Sequence, residues 1–357
     1  MKQRSSKTYT EDLRTARDHV VALDQLRDAS VLITGATGTI GSFLTDFFLE
    51  WNDAENAGVM VYVAGRSVER LCERFGTTEE NDGRLIPVKY ELGTGMPKNL
   101  SVDYIIHAAG NAHPAAFQSD PVGTIMESVT GTEELLRLAH TCKAKRFMYV
   151  SSGEVYAQQK ENTDNTTPYI PDTFSEDDIG YVNPLLARSC YPNSKRLSET
   201  LCAAYIAQYG IDAVIVRPCH TYGPGFTDKD SRAQAQFLRN ALMGEDIVLK
   251  SAGQQIRSYN YIADCVSALL SVLTSGSKGE AYNLANPDTA VSIAELAKVI
   301  AREAGTKVTR QETMDAQTPV MRQVLNTEKL RALGWNAAFD LETGIRHTLA
   351  VRREWAA

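Results

Sequence analysis

Short apolar segments rich in β-branched residues alternate with helical segments along the chain, and this alternation constrains the fold more than any other feature. Six such segments are predicted as strands: 30–35, 59–65, 85–92, 102–110, 146–152 and 212–218. Helical spacing is found between them, at 40–51, 119–141 and 189–209. Near-continuous apolar strands joined by helices are typical of a parallel sheet covered on both faces. We therefore expect an α/β fold with a doubly wound parallel sheet.

The alternation weakens after Pro218, which indicates a second and smaller unit. A turn-rich segment leads to a predicted helix at 232–243, and a clean amphipathic helix is predicted at 291–305. Segments that leave the sheet and return to it would form a cap. The predicted boundaries are an N-terminal extension at 1–27, a sheet domain at 28–218 and 258–284, and a C-terminal cap at 219–257 and 285–357.

Residues 1–27 predict a polar, partly helical extension. Its apolar side is expected to consist of Val20, Val21, Leu23 and Leu26. The first 18 residues are charged throughout and lack the apolar core of a signal peptide.

Composition and charge exclude several classes of function. Of the 357 residues, 43% are hydrophobic and 23% are charged, which is ordinary for a globular enzyme. The net charge of −7 argues against a nucleic-acid surface. No apolar run reaches the roughly 18–20 residues that span a membrane. The six cysteines contain no C-x-x-C pair, so we expect no metal site, no disulfide framework and a cytoplasmic location.

A glycine-rich segment, TGATGTIG, lies between the first predicted strand and its helix. Gly35, Gly38 and Gly41 would permit a tight turn, close helix packing and approach of backbone N–H groups to a pyrophosphate. Thr37, Thr39 and Ile40 complete the expected phosphate loop. The strand–turn–helix context predicts a dinucleotide site of Rossmann type.

The end of the second strand bears on the choice of dinucleotide. NAD is usually held there by an acid that binds the ribose 2′-OH, whereas this chain has Arg66 and Ser67. Because a guanidinium pairs well with phosphate, the pattern favours NADP over NAD. The alternative is that Arg66 only starts the next helix in solvent. Glu91, at the end of the third predicted strand, is a candidate contact to the adenine edge or an exposed acid.

Several motifs in order resemble the extended short-chain dehydrogenase/reductases, and within them the nucleotide-sugar epimerase/dehydratase group. They are the glycine segment, HAAG (107–110), VSSGEVYA (150–157), YPNSK (191–195), RPCHTYGPG (217–225) and QQIRSYNYIADCVSALL (254–270). The resemblance covers about residues 28 to 350. It implies cofactor contacts from Leu92, Ala108, Ala109, Gly110 and Pro218, in addition to the glycine segment, Arg66, Ser67, Glu91, Tyr191 and Lys195.

The resemblance implies that Tyr191 is a base that Lys195 and Ser152 assist. Tyr191 and Lys195 are four residues apart and therefore share one helical face. A free tyrosine has a pKa near ~10, and lowering it to ~7 needs about 4 kcal/mol of phenolate stabilisation. The Lys195 ammonium and the positive nicotinamide can supply it. Ser152 would hydrogen-bond the substrate oxygen, or else only cap the strand tip, although Ser151 fits that structural role better.

Glu154 distinguishes between reactions in this group. Simple 4-epimerases need only the Ser, Tyr and Lys set, whereas sugar dehydratases and UDP-glucuronate decarboxylases carry an acid at the matching position. Once C4 is a ketone, such an acid can act as base or acid beside the ring. The Asp-Glu pair of dTDP-glucose 4,6-dehydratases is Gly153-Glu154 here, while the 187–196 segment and Arg257 resemble the decarboxylases. The structural alternative for Glu154 is a solvated turn acid.

Three positions depart from the family pattern or bear on the substrate. His220 replaces a usual asparagine that contacts the sugar or diphosphate, or it is a structural histidine. Arg257 resembles a diphosphate-binding arginine, for which a surface salt bridge is the alternative. Ala157 replaces a usual glycine.

The interpretation is an NAD(P)-dependent nucleotide-sugar enzyme that acts through a transient C4-keto sugar, with decarboxylase-like lyase chemistry first. A 4-epimerase, a 4,6-dehydratase, an NADPH-dependent ketoreductase and a non-catalytic regulator are the alternatives. The resemblance also implies a homodimer, since related enzymes pair helices matching 119–141 and 189–209 across a two-fold axis.

Overall fold

The computed structural model describes residues 2–97, 99–110, 112, 114–156, 172–178, 180–228, 230–311 and 322–356. Ala157 therefore lies outside the described residues. The strands, in chain order, are β1 (Ser30–Thr34), β2 (Met60–Gly65), β3 (Leu85–Lys89), β4 (Tyr104–His107), β5 (Arg146–Val150), β6 (Ala213–Pro218), β7 (His220–Tyr222), β8 (Ile247–Leu249), β9 (Ile256–Tyr261), β10 (Ala281–Leu284), β11 (Ala290–Ser292), β12 (Val308–Arg310) and β13 (Arg322–Gln323).

The helices mostly follow the strands they connect. They are α1 (Lys7–Asp18), α2 (Thr39–Glu55), α3 (Val68–Phe75), α4 (Pro114–Ser119), α5 (Pro121–Cys142), α6 (Cys190–Tyr209), α7 (Ala233–Leu242), α8 (Ile262–Ser275), α9 (Ile293–Ala304), α10 (Glu328–Arg331) and α11 (Leu341–Ala356). Within the described ranges, no helix is both long enough and apolar enough to cross a bilayer.

Seven parallel strands form the large sheet, which confirms the predicted doubly wound α/β fold. Their order is β10-β6-β5-β4-β1-β2-β3. Successive residues of one strand are buried on opposite faces: Val31 belongs to one apolar cluster and Leu32 to the other. Because helices cover both faces, these strands are apolar at nearly every position, which produced the sequence signal. The order reverses beside β1, so a cleft opens at the carboxyl ends of β1 and β4.

A small sheet lies beyond the carboxyl edge of the large one. It contains β11, β9 and β13, with β7 also paired to β9. The predicted boundary between residues 257 and 258 falls inside β9, so residues 258–261 belong to the small sheet rather than to the large one. The return to the large sheet begins with α8, which directly follows Tyr261.

Several predicted segments have different limits in the structure, and two of them bear on the site and its neighbouring helices. The third strand ends at Lys89 rather than at residue 92, so Glu91 and Leu92 lie in the turn that follows it. The predicted helix at 119–141 is α5, which starts at Pro121 with Asp120 as its N-cap. Proline is favoured at the first helical position because its missing N–H would be unpaired there.

The N-terminal extension packs into the body of the protein through α1. Tyr9, Leu13 and Ala16 are buried in the main apolar cluster, which also contains the predicted Leu26, and the predicted Val20, Val21 and Leu23 pack against it. The Tyr9 hydroxyl donates a 2.8 Å hydrogen bond to Asp46 on α2. The extension therefore connects the sheet domain to the C-terminal helix, α11, against which α1 also packs.

Candidate active site

A cleft lies at the carboxyl ends of β1, β4, β5 and β6, between the large sheet and the cap. Its described lining includes Gly38, Ala109, Ser152, Tyr191, His220 and Gln323. Loops that follow several parallel strands meet at this edge, which is where ligands bind in open α/β sheets. The cleft is the candidate active site.

The glycine segment forms one wall of the cleft. Its backbone is packed so closely that two of its glycines have no room for a side chain. Gly35 has a φ of +68°, and a Cβ on it would lie 2.6 Å from the carbonyl oxygen of Ala108. A Cβ on Gly41 would lie 2.2 Å from the carbonyl oxygen of Gly35. Gly38 is the N-cap of the 17-residue α2 and offers no capping side chain. The positive end of α2 thus faces the cleft as a cradle that fits a pyrophosphate.

Most of the other predicted cofactor residues lie along this wall. Thr39 and Ile40 form the first turn of α2, and Ala108, Ala109 and Gly110 follow β4. Pro218 ends β6 on the opposite side of the cleft.

Five predicted cofactor residues lie away from the described lining of the cleft: Thr37, Arg66, Ser67, Glu91 and Leu92. Arg66 is exposed directly after β2. The Ser67 hydroxyl caps α3 by accepting from the Arg70 amide, and it donates to Glu69 at 2.8 Å. Because β2 and β3 lie on the side of β1 away from β4 and β5, the four residues that follow them are on the side away from Tyr191, whereas Thr37 lies between the lining residues Gly35 and Gly38.

Ser152, Tyr191 and Lys195 meet at the tip of β5. Lys195 is buried, and its Nζ donates a 2.9 Å hydrogen bond to the carbonyl oxygen of Val150. The same Nζ lies 5.7 Å from the ring centroid of Tyr191. The Ser152 hydroxyl accepts a 3.1 Å hydrogen bond from the Glu154 amide. The phenol, the hydroxyl and the ammonium therefore share one pocket.

The protein environment alone does not make Tyr191 a strong base. Burial raises the pKa of its phenol, and the negative charge of Glu154 adds to this, while Lys195 and the Ser152 hydroxyl lower it. Burial likewise lowers the pKa of Lys195. Further positive charge within the cleft would be needed to favour the phenolate.

Ser151 faces the other way and has a structural role. Its hydroxyl donates a 2.6 Å hydrogen bond to Glu199, whose carboxylate also binds Arg217 at 2.7 Å. Arg217 reaches the Tyr156 hydroxyl and the carbonyl oxygen of Glu176. This network holds the tip of β5 against α6 and β6, and leaves Ser152 toward the cleft.

Glu154 lies on the 3₁₀ turn Gly153–Tyr156 and lines the cleft. Its carboxylate forms an ion pair with Arg188, at 3.1 Å from Oε2 to Nη2. The Glu154 side chain is 34% exposed. The carboxylate is thus half-buried and paired, rather than a free acid on a solvated turn.

His220 and Arg257 lie on the cap side. His220 lines the cleft at the start of β7, and burial together with the nearby Arg257 and Arg232 charges lowers its pKa to about 3. Arg257 is half-buried on β9, and burial lowers its pKa while Glu154 and Tyr259 oppose that effect. The imidazole is therefore neutral near pH 7 and can serve as a hydrogen-bonding group.

The sequence analysis did not identify two further residues of the cleft, Arg232 and Gln323. Arg232 is held by Asp230 at 2.6 Å and lines the cleft at the start of α7. Gln323, on the short β13, donates a 2.8 Å hydrogen bond to the carbonyl oxygen of Gly153. A two-residue strand leaves no periodic signal, so sequence alone gave no reason to select it. Among the described residues, no three His, Cys, Asp or Glu side chains are grouped as a metal site requires.

A family model described as the NAD dependent epimerase/dehydratase family matches residues 31–285, which is more than half of the chain. The chain belongs to this epimerase/dehydratase family. It is therefore an enzyme of an NAD-dependent type, and the resemblance seen in its motifs is confirmed.

Relatives within the epimerase/dehydratase family include decarboxylases from animals and plants. UDP-glucuronic acid decarboxylase 1 of Xenopus tropicalis is 30% identical over 323 residues, covering 89% of this chain and 71% of the frog protein. UDP-glucuronic acid decarboxylase 5 of Arabidopsis thaliana is 31% identical over 317 residues, covering 88% of this chain and 86% of the plant protein.

A solved structure with the same fold is a dTDP-glucose 4,6-dehydratase of Streptomyces venezuelae with NAD bound. It superposes with a TM-score of 0.74 at 24% identity, over 91% of this chain and 97% of the dehydratase. At that identity the likeness concerns the fold alone, and it agrees with a parallel α/β sheet flanked by helices.

Proposed function

We propose that this protein decarboxylates a nucleotide-linked sugar acid, with UDP-glucuronate as the first candidate, through a transient C4-keto sugar. The observation that carries the proposal is the position of Glu154, which lines the same cleft as Ser152 and Tyr191. The decarboxylase relatives from frog and plant support the same choice of chemistry.

The first step is removal of hydrogen from C4 of the sugar. Tyr191 takes the proton of the C4 hydroxyl, Ser152 holds that oxygen, and Lys195 stabilises the phenolate. A nicotinamide dinucleotide bound along the glycine loop would accept the C4 hydride and return it at the end of the cycle. Burial raises the pKa of Tyr191, so positive charge that enters the cleft would favour the phenolate.

The second step breaks the bond between C5 and its carboxylate. With a ketone at C4, the electron pair left by departing CO₂ is delocalised onto the ketone oxygen as an enolate. A proton from solvent adds to C5 and restores the ketone, and hydride return to C4 with the proton held by Tyr191 gives the product. Glu154 acts at this stage as base or acid beside the ring.

The dinucleotide is proposed to be NADP. Arg66, exposed directly after β2, supports this preference because a guanidinium binds a 2′-phosphate bidentately. The nearby hydroxyl of Ser67 is already bonded to Glu69 and the Arg70 amide, so Arg66 is the side chain that carries the preference.

The assembly is proposed to be a homodimer. Val122, Ile125 and Met126 on α5 and Leu197 on α6 are exposed apolar side chains on two helices that pack together. An apolar row across two adjacent helices suits a self-complementary contact across a two-fold axis.

The cytoplasmic location expected from the sequence stays a prediction, testable by fractionation of the source cells.

One experiment separates the reactions. The protein is incubated with UDP-, dTDP-, GDP- and CDP-sugars, including UDP-glucuronate, and product masses are followed together with cofactor absorbance. Loss of CO₂ without net NADPH consumption is expected. Loss of water would identify a 4,6-dehydratase, conversion without mass change a 4-epimerase, and stoichiometric NADPH consumption a ketoreductase, and each of these would overturn the proposal.

A further inference from the structure

Arg188 bonds to Glu154 and also contacts the phenylalanine that stacks on Tyr191. It lies on the 3₁₀ turn Ala187–Ser189, three residues before Tyr191. Its Nη2 is 3.1 Å and 3.4 Å from the two carboxylate oxygens of Glu154. Its guanidinium carbon lies 5.0 Å from the ring centroid of Phe117, and that ring stacks on Tyr191.

We propose that Arg188 is a positioning residue that holds the Glu154 carboxylate toward the cleft and shields Tyr191 from its negative charge. The inference rests on the proposed function in one respect, since it assumes that Glu154 acts after C4 has been oxidised. Arg188 itself acts through Glu154, and no contact of Arg188 with substrate is required.

Two contacts restrain the Arg188 side chain. The ion pair fixes the end of the Arg188 side chain, and the face of Phe117 fixes its plane through a cation–π contact. Phe117 is buried, so this support is rigid although Arg188 itself is 40% exposed. An ordinary surface ion pair lacks such a second restraint and contributes little.

The ion pair between Arg188 and Glu154 also affects the pKa of the Tyr191 phenol. The groups that act on the Tyr191 phenol are Lys195 on its own helix, Glu154 and Ser152 at the tip of β5, and Tyr149 on β5. The Glu154 charge raises the pKa of the phenol, whereas Lys195 lowers it. The Arg188 guanidinium, bonded to Glu154, offsets the rise in pKa that the Glu154 charge causes. Loss of Arg188 therefore favours the neutral phenol.

The test compares Arg188→Gln with Arg188→Lys, Glu154→Gln and the double variant Glu154→Gln/Arg188→Gln. Each is mixed with UDP-glucuronate, or with the substrate that the sugar panel identifies, and cofactor reduction and product formation are followed from pH 6 to pH 9. The Arg188→Lys variant keeps the charge and is expected to restore most of the activity.

Arg188→Gln is expected to lower product formation about tenfold, because a displaced catalytic group loses rate steeply. The pH at which cofactor reduction is half-maximal should move upward in Arg188→Gln and downward in Glu154→Gln. The double variant should match Glu154→Gln in product formation, since Arg188 then has no carboxylate to hold.

The outcomes distinguish this inference from the proposed function. If Arg188→Gln lowers product formation by the same factor in the parent protein and in Glu154→Gln, the positioning role is overturned. It is also overturned if the pH dependence of cofactor reduction is unchanged in Arg188→Gln. A Glu154→Gln variant that decarboxylates at the parental rate would instead overturn the role of Glu154 in the reaction. Circular dichroism of each variant checks that the fold is retained.

Discussion

The ring of Phe117 stacks on the ring of Tyr191, with centroids 4.3 Å apart and planes inclined by 19°. Phe117 lies on α4 and Tyr191 at the start of α6, so the stack fixes the phenol from an element outside its own helix. The contact involves the ring faces and leaves the hydroxyl toward Ser152 and Lys195. A change that removes only the hydroxyl should therefore preserve the local packing.

Tyr191→Phe is predicted to lower turnover by ~10²–10⁴-fold while the protein stays folded, since the phenol oxygen is the proposed proton acceptor. The measurement is product formation at saturating substrate, with thermal unfolding as the check on folding. Tyr209→Phe is the matched control, because it makes the same change on the same helix at an exposed position. Near-parental turnover in Tyr191→Phe would remove the tyrosine from the chemistry.

Glu154→Gln is predicted to separate the two halves of the reaction. The amide keeps the shape of the side chain but cannot exchange a proton as a carboxylate does. Cofactor reduction should still occur on mixing with substrate, because Ser152, Tyr191 and Lys195 are unchanged, and little product should be released. Nicotinamide absorbance followed by product analysis measures both. If reduction itself is lost, Glu154 belongs to substrate binding.

The parts of the fold that the sequence predicted are those with local, repeated signals. The strand segments were visible because residues such as Val31 and Leu32 are buried on opposite faces of a covered sheet. The glycine segment was visible because Gly35 and Gly41 have backbone contacts that a side chain would obstruct. Such requirements apply within a few residues of the chain and leave a pattern there.

The parts that the sequence did not predict depend on contacts between distant segments. Gln323 reaches Gly153 across 170 positions of the chain, and the ion pair of Arg188 with Glu154 spans 34. The burial of Tyr9 depends on α2 and on Trp355 near the other end of the chain. No local pattern marks these residues, because their partners lie far away in the sequence.

Arg66→Ala is predicted to weaken NADP binding about tenfold and NAD binding much less, because a charge-assisted hydrogen bond to phosphate contributes ~1.5 kcal/mol or more. Isothermal calorimetry with both dinucleotides measures the difference. Arg353→Ala, at an exposed arginine near the C-terminus, controls for loss of positive charge. Equal effects on the two dinucleotides, or tighter binding of NAD to the parent protein, would overturn the preference for NADP.

Met126→Glu is predicted to convert a homodimer into monomers. Met126 is 48% exposed on α5 within the row of apolar side chains that also contains Val122 and Ile125. A buried, unpaired carboxylate at a two-fold contact meets its own symmetry copy and is strongly unfavourable. Light scattering at micromolar concentration measures the mass. Met243→Glu, at a methionine that is 64% exposed in the turn that follows α7, should leave the dimer intact.

The last prediction concerns the junction between the N-terminal helix and the C-terminal helix. The His347 imidazole on α11 lies 2.7 Å from the buried carboxylate of Asp12 on α1, which also accepts from the Tyr261 hydroxyl. The hydrogen bond to Asp12 raises the pKa of His347 above its ordinary value of 6.5. The folded protein therefore binds this proton more tightly than the unfolded chain does.

A raised pKa in the folded state stabilises the protein fully below pH 6.5, and the contribution is lost as the pH rises through the folded-state pKa. The contribution of His347 should accordingly decrease as the pH rises above about 6.5, and His347→Gln should remove this contribution. His107 and His220, whose pKa values burial lowers to about 3, bind protons near pH 6.5 only in the unfolded chain and so oppose this decrease, but they contribute equally in parent and variant, and the difference between the two isolates His347. Urea unfolding at several pH values measures the slope, with His140→Gln as the exposed control. A slope that is the same in parent and His347→Gln would show that the Asp12 contact gives no pH-dependent stability.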